Sequence, residues 1–427
     1  MKTQQLAIVD GVRTPFIKAG TDFAALGAEE LGRVAVNALL TRTGLDPALV
    51  DEVIFGCVAQ PADAANVARV IALRAGIPES VPALTVHRNC ASGMEAVTQA
   101  YEHMMAGRGE VFIVGGAESM SQVPLMYPQS AAEKFTRLSK AKTLPQKLQA
   151  MAGFRPKDFS PRVGLLLGLT DPVCGLNMGQ TAEVLARELG ISREEQDAFA
   201  IESHRKALAA TERLQEEITP VYLPGKDPVV KDNGPRADQS PEVLAKLRPI
   251  FERGTGTVTA GNSSQVTDGA VALLVMSGEM AEELGYKPLG YLKAYAYSGC
   301  DPERMGLGPV FAMDRLEELT GLEIEQADLL EVNEAFAAQV LGVLRAAKSE
   351  KFSRKVLGRR TPLGEVTMDK LNVNGGSIAL GHPVGATGAR LILTALKELE
   401  RRQGARALVS LCVGGGQGGA VWLERSV

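Results

Sequence analysis

The sequence predicts an α/β protein of two similar halves with a long insertion between them, and three observations carry that prediction. Short runs rich in Val, Ile and Leu alternate with longer segments of helical period, such as AEELGRVAVNALL and ARLILTALKELERR, the pattern of layered α/β folds. A stretch near the beginning recurs near the end. The region from about Pro124 to Phe251 differs in composition from what flanks it.

The repeat aligns when ASG at Ala91 to Gly93 is laid on ATG at Ala386 to Gly388. NCASGMEAVTQAYEHMMAGRGEVFIVGGAES then answers to GATGARLILTALKELERRQGARALVSLCVGGG, each running small-residue turn, helix, strand, glycines. A second pair, DEVIFGCVAQ from Asp51 and ADLLEVNEAFAAQ from Ala327, precedes each copy in the same order. Two sheets covered by helices, with equivalent loops meeting at a shared face, are expected.

Ahead of the first copy, MKTQQLAIVDGVRTPF has one early lysine and a short apolar run broken by Asp10 and Arg13, which predicts a strand rather than a signal peptide. The intervening region carries the basic amphipathic EKFTRLSKAKTLPQKLQAM, the broken apolar VGLLLGLTDPVCGLNMG and the hairpin-like PVYLPGKDPVVKDNGPRADQSPE. It is expected to lie as a solvated insertion over the active face, with docking of a partner subunit or a membrane surface as the alternative for its basic and apolar stretch. The expected boundaries are 1–123 for the first half, 124–251 for the insertion, 252–284 for a return segment completing the first half, and 285–427 for the second half.

Composition narrows the function. A chain of 427 residues, 45% hydrophobic and 22% charged, can bury a large core. Its formal net charge of -4, with both signs scattered, lacks the basic footprint of a nucleic-acid binder. Five cysteines without paired spacing argue against a disulfide framework and a zinc site, and fit a reducing cytoplasm. No apolar run reaches the roughly 18 residues of a spanning helix.

In VHRNCASGMEA, Cys90 follows an apolar strand and precedes the expected first turn of a helix. An isolated cysteine reads as a small core hydrophobe, but at a helix N-terminus the dipole and free N–H groups favour the thiolate, as a nucleophile requires. NVNGGSIALGHPVGATGAR sets His382 in a glycine-dense loop between an expected short strand and a helix, with Pro383 stiffening it. Of the other histidines, His103 and His204 are expected on solvated helix surfaces and His87 in packing, on the strand face opposite Cys90. LCVGGGQGG places Cys412 after a strand and before glycines. The literal G-x-G-x-x-G from Gly414 to Gly419 is followed by the apolar strand AVWLERSV, not by the helix a dinucleotide site needs. Cys57, Cys174 and Cys300 have no comparable setting. In LLEVNEAFAAQ, Asn333 reads as a helix N-cap or as an amide holding a water or a substrate carbonyl.

Taken together, VDGVRTPF, NCASGMEA, VGGAESMS, NMGQTAE, GTVTAGNSS, MGLGPV, NEAF, GGSIALGHPVGATGAR and LCVGGGQGG resemble the thiolase family over nearly the whole chain. The resemblance implies two βαβαβαββ halves in a five-layered αβαβα arrangement with an inserted loop domain. It implies an acyltransferase in which Cys90 carries the acyl group, His382 activates it and Cys412 is acid and base at the acetyl α-carbon. Asn333 would hold a water beside His382 to bind the acetyl thioester oxygen, and the N–H groups of Cys90 and Gly414 would form a second oxyanion hole. Ser264 and Ala260 match positions that contact the pantetheine arm of CoA, and Met178 and Phe336 match the pocket wall. Coenzyme A is implied as substrate, with no permanently bound cofactor and no metal. A homodimer or homotetramer, and association with a hydratase/hydroxyacyl dehydrogenase subunit, are implied as assemblies.

Where many members have Asn before the basic residue of the nucleophile motif, this chain has His87. Where short-chain biosynthetic members have His before MG, it has Asn177. The stretch between GGAESMS and NMG is also longer than in compact biosynthetic members. These departures bear on acyl chain length rather than on the reaction, which is expected to be thiolytic cleavage of 3-oxoacyl-CoA in β-oxidation or the reverse Claisen condensation. A short-chain enzyme making acetoacetyl-CoA is the alternative. A ketosynthase would lack a second catalytic cysteine, and an inactive carrier or scaffold subunit should have lost Cys90, His382 or Cys412.

Overall fold

The computed structural model describes residues 5–425. Contacts divide it into two compact units, one of residues up to Gln122 and from Asp171 onward, the other of Val123–Thr170.

In the larger unit the first half supplies β1 (Leu6–Arg13), α1 (Ala28–Thr43), β2 (Glu52–Gly56), α2 (Val67–Arg74), β3 (Ala83–Val86), α3 (Ser92–Met105), β4 (Val111–Glu118) and, after the intervening residues, β5 (Thr267–Ser277). Among those residues are α4 (Met178–Leu189) and α5 (Arg193–Ala209). The second half supplies β6 (Gly290–Gly299), α6 (Gly308–Thr320), β7 (Leu329–Val332), α7 (Ala337–Ala347), α8 (Val384–Arg402), β8 (Arg406–Val413) and β9 (Gln417–Glu424). The strand order is β7-β8-β9-β6-β1-β5-β4-β2-β3. Each half has parallel strands outside and antiparallel strands towards the centre. The half-sheets join through a short β1–β6 register, Leu6 with Leu292, Ala7 with Tyr291 and Ile8 with Gly290. Where the first half has β3, the second has only a single parallel bridge, Leu330 with Leu371.

Strand side chains alternate between layers because successive residues of a strand point to opposite faces. Along β4, Val111 and Ile113 enter the core under α1 and α2, while Phe112 and Val114 enter the central core around α3 and α8. Along β8, Val409 and Leu411 face that same central core and Leu408 faces α6 and α7. Three cores between five layers, αβαβα, result. The central helices approach closely. A Cβ on Gly93 would sit 2.8 Å from the backbone N of Ala389, and one on Gly388 would overlap the backbone N of Met94. These two glycines are the residues that the internal repeat pairs.

Residues 171–251 fold within the larger unit, where α4 and α5 pack on α7. The hairpin-like stretch closes as one antiparallel bridge, Val221 with Val229. The smaller unit holds the helices Gln129–Lys140 and Leu144–Ala152, the short helix Gly164–Gly168, and a two-stranded ribbon of Leu125–Met126 with Arg162–Val163. Its buried Asp158 accepts from Ser130 Oγ (2.9 Å), Lys134 Nζ (2.5 Å) and Arg155 N–H (2.7 Å). Among the described residues no helix is long and apolar enough to cross a membrane.

Two histidine expectations fail. His103 and His204 are buried rather than solvated, because charged neighbours in sequence lie on other faces of their helices. His103 Nδ1 lies 2.7 Å from Glu52, and His204 Nδ1 accepts the Arg236 N–H at 3.2 Å.

The Gly93–Gly388 crossing makes a stability prediction. Gly388→Ala forces a backbone shift between α3 and α8 and should lower unfolding free energy by at least about 2 kcal/mol, within the range of overpacked cores. Gly168→Ala, where an added Cβ meets nothing within 4 Å, should be neutral or slightly stabilising. Denaturant titration compares them.

Candidate active site

Cys90 sits in the five-residue connection between β3 and α3, residues 87–91. Asn89 has φ +43°, the left-handed region that Asn tolerates better than most residues. Ser92 Oγ donates to Asn89 O (2.7 Å) and accepts the Arg88 N–H (2.9 Å). Asn89 Nδ2 donates to Gly414 O (2.8 Å), tying this turn to the glycines after β8. The backbone N–H groups of Gly414 and of Cys90 itself favour the charged form of the Cys90 sulfur. Burial outweighs them and pushes the thiol up to about 11. The thiolate expected from the helix N-terminus is therefore not the resting state. His87 is exposed beyond the end of β3, not packed on the opposite face. Arg88 is anchored by Glu95 (2.6 Å) and by the Tyr297 ring (4.0 Å to the centroid).

His382 is buried in the loop before α8. A helical turn, Ser377–Leu380, precedes it in place of the expected short strand. Gly381, at φ +101° and with its α-carbon against Thr267, permits the sharp approach. The ring Nδ1 lies 2.6 Å from Thr387 Oγ1, and Nε2 has no protein partner. Burial, and then the Arg390 guanidinium, lower its pKa to about 4. His382 is thus a neutral base.

Asn333 is fully buried at the end of β7, and α7 begins only at Ala337 with Phe336 as cap. It is therefore no N-cap. Its Oδ1 accepts from Ser377 Oγ (2.6 Å), which leaves Nδ2 as an unpaired buried donor. Glu334 binds the His382 segment through the Ile378 N–H (3.3 Å), and accepts from Ser203 Oγ (2.5 Å) and Asn372 Nδ2 (2.9 Å). Cys412, the penultimate residue of β8, is buried with Met178, Phe336 and Val258 in one cluster. Burial first, and Cys90 second, raise its pKa well above the ordinary thiol value. Met178 Sδ would meet a Cβ on Gly414 at 3.3 Å. The Ser264 N–H donates to Ala335 O (2.9 Å), and Ser263 bridges Phe336, so this strap runs beside the cluster with Ala260 exposed.

The structure thus brings Cys90, Gly414, Cys412, Met178 and Phe336 around one centre, and carries His382 and Asn333 on segments joined through Ser377 and Glu334. Sequence reasoning missed Thr387, Asn89 and Glu118. Glu118, fully buried, accepts the N–H groups of Val58 (3.0 Å), Ala59 (2.9 Å) and Gly385 (2.8 Å), fastening the start of α8 to the first half. A carboxylate ending the otherwise apolar run VFIVGGAE was the available signal.

The model of the thiolase N-terminal domain matches residues 6–279, and that of the thiolase C-terminal domain matches residues 286–425. The chain belongs to the thiolase family. It is 43% identical over 424 residues to a 3-ketoacyl-CoA thiolase of Pectobacterium carotovorum, covering 98% of this chain and 96% of that one. A 3-ketoacyl-CoA thiolase of Yersinia enterocolitica is 42% identical over 424 residues, covering 98% of this chain and 97% of that one. Among solved structures, a Bacillus anthracis acetyl-CoA acetyltransferase superposes with TM-score 0.86 at 36% identity, covering 99% of both chains. Human mitochondrial 3-ketoacyl-CoA thiolase in complex with CoA gives TM-score 0.85 at 35% identity, covering 99% of this chain and 98% of that one.

In this thiolase the resting pair is neutral thiol and neutral imidazole, which fixes the pH response. Acylation of Cys90 from acetyl-CoA, followed by rapid quench, should stay level from about pH 8 to below about pH 6, because protonation of His382 waits until about pH 4. A fall centred on the ordinary histidine value of about 6.5 would contradict the burial of that ring.

Proposed function

We propose that this thiolase cleaves 3-oxoacyl-CoA with CoA to acetyl-CoA and a shortened acyl-CoA, through an acyl-Cys90 intermediate. The observation that carries the proposal is the pairing of two thiols, Cys90 and Cys412, beside the Gly414 backbone, with His382 and its unpaired ring nitrogen in the loop of the helix that crosses α3. Cys90 Sγ attacks the ketone carbon while its proton passes to His382 Nε2. The alkoxide formed is held by the N–H groups of Cys90 and Gly414, donors placed before charge develops. Collapse breaks the bond between α- and β-carbon and leaves the acetyl-CoA enolate. Its oxygen is met by the protonated His382 and, through a water, by the free Nδ2 of Asn333. Cys412, kept as a thiol by burial, delivers its proton to the α-carbon. The Cys412 thiolate then takes the proton of CoA-SH, whose sulfur attacks acyl-Cys90, and the departing Cys90 sulfur recovers its proton from His382. The reverse order is Claisen condensation.

The half-buried Ser264 and the exposed Ala260 would meet the pantetheine arm of CoA, a substrate rather than a resident cofactor, and Met178 and Phe336 would line the acyl pocket. The names of the relatives support 3-ketoacyl-CoA as substrate class. The likeness to an acetyl-CoA acetyltransferase favours a second reading, condensation of two acetyl units. Asn177, which caps α4 through a reciprocal bond with Gln180, stands where short-chain biosynthetic members have His, and argues for the first. A homodimer or homotetramer in the cytoplasm, associated with a hydratase/hydroxyacyl dehydrogenase subunit, completes the proposal.

Cys412→Ser separates the two half-reactions. Acylation from acetyl-CoA needs attack on a thioester but no proton on carbon, so exchange of labelled CoA with acetyl-CoA should persist at a substantial fraction of the wild-type rate. Cleavage of 3-oxoacyl-CoA should fall at least about 10²-fold, because a hydroxyl is a much weaker acid than a thiol. His382→Ala should impair both reactions. Parallel loss of exchange and cleavage in Cys412→Ser would refute this division of labour.

A further inference from the structure

Hydrogen-bond bookkeeping around His382 identifies the group that sets its tautomer. Thr387 Oγ1 lies 2.6 Å from His382 Nδ1 and 3.0 Å from Pro383 O, one helical turn back. A hydroxyl has one proton to give and a carbonyl has none. With the hydroxyl proton on Pro383 O, the short contact to the ring requires Nδ1 to be the donor. Nε2 has no protein partner in either assignment, and only in this one does it carry a lone pair able to accept a thiol proton.

The internal repeat supplies an independent example. Ser92 occupies the position equivalent to Thr387, and its hydroxyl donates to a preceding carbonyl, Asn89 O, while accepting the Arg88 N–H. There the direction is unambiguous, because a backbone N–H can only donate. In both halves a hydroxyl in the first turns of the central helix donates to or lies within reach of a preceding carbonyl and also contacts the loop that carries Cys90 or His382.

We propose that Thr387 is a positioning residue that fixes His382 as the Nδ1–H tautomer, leaving the Nε2 lone pair to accept the Cys90 thiol proton. The inference rests on the roles proposed above for Cys90 and His382. As the proton moves from Cys90 Sγ to Nε2, the electron pair of the S–H bond becomes the new bond from sulfur to the substrate carbonyl carbon and the carbonyl π pair moves to oxygen; with acetyl-CoA, return of that pair expels the CoA sulfur, which takes the proton from Nε2. The imidazolium keeps its Nδ1–H on Thr387, so the ring neither flips nor exchanges tautomers during the step. A ring in the other tautomer would point a proton, not a lone pair, at the nucleophile.

Nitrogen NMR of the full chain labelled with ¹⁵N-histidine, near neutral pH, reads the tautomer directly, with His382→Asn identifying the signal that disappears. Wild type should show Nδ1 protonated and Nε2 bare, and Thr387→Val should show a mixture or the reverse. In parallel, Thr387→Val should lower the rate of Cys90 acylation by about 10- to 100-fold, approaching what a positioned base contributes, with KM for acetyl-CoA within about twofold. Thr387→Ser should restore both readouts, and keeps the test decisive if the valine variant does not fold. A bare Nδ1 in wild type, a wild-type rate in Thr387→Val, or a folded Thr387→Ser as slow as the valine variant would each overturn the inference. Absence of acyl-Cys90 in the wild type would instead overturn the reading of the site on which it rests.

Discussion

The close crossing of α3 and α8 is the constraint on which the rest of the molecule depends. Gly93 and Gly388 let two helix backbones approach where any side chain would collide, so the two halves share one central layer. Each helix then places its N-terminal loop near the crossing, and those loops carry Cys90 and His382. Glu118 reinforces the arrangement from the first half by holding the Gly385 N–H, and Asn89 does so by holding Gly414 O. A site assembled from both halves is thereby set by backbone contact rather than by long side chains.

Burial of that shared layer also decides the electrostatics. Desolvation disfavours charge on either partner, lifting Cys90 to about 11 and lowering His382 to about 4. A thiolate–imidazolium pair is therefore not stored in the resting enzyme. In the proposed mechanism charge arises only when a substrate carbonyl accepts electrons from sulfur, beside the backbone N–H groups of Cys90 and Gly414. Such a site stays inert towards bystander electrophiles yet needs little rearrangement to react.

Much of this was legible in the sequence, for identifiable reasons. The repeat of ASG on ATG mapped onto the helix crossing because close packing restricts that position to glycine in both copies. The short apolar runs that became β4 and β8 pointed to a layered α/β fold because those strands are buried on both faces. Other readings failed where tertiary structure overrode local pattern. Charged neighbours made His103 and His204 look solvated, but each turns to a buried face of its helix. Asn333 looked like a cap because β7 runs towards α7, yet the intervening residues turn so that Phe336 begins the helix and the Asn333 amide faces inward. Thr387 was hidden because a threonine on a helix carries no signal until its partner five residues earlier is seen folded against it.

The central claim is that both halves aim their donors at one sulfur, and a crystal structure of the enzyme acetylated from acetyl-CoA tests it most directly. The acetyl group should be on Cys90 Sγ, its carbonyl oxygen within hydrogen-bond distance of the N–H groups of Cys90 and Gly414, with His382 Nε2 facing the sulfur. An acetyl group on Cys412 or another cysteine, or a carbonyl oxygen turned away from those two N–H groups, would contradict the account.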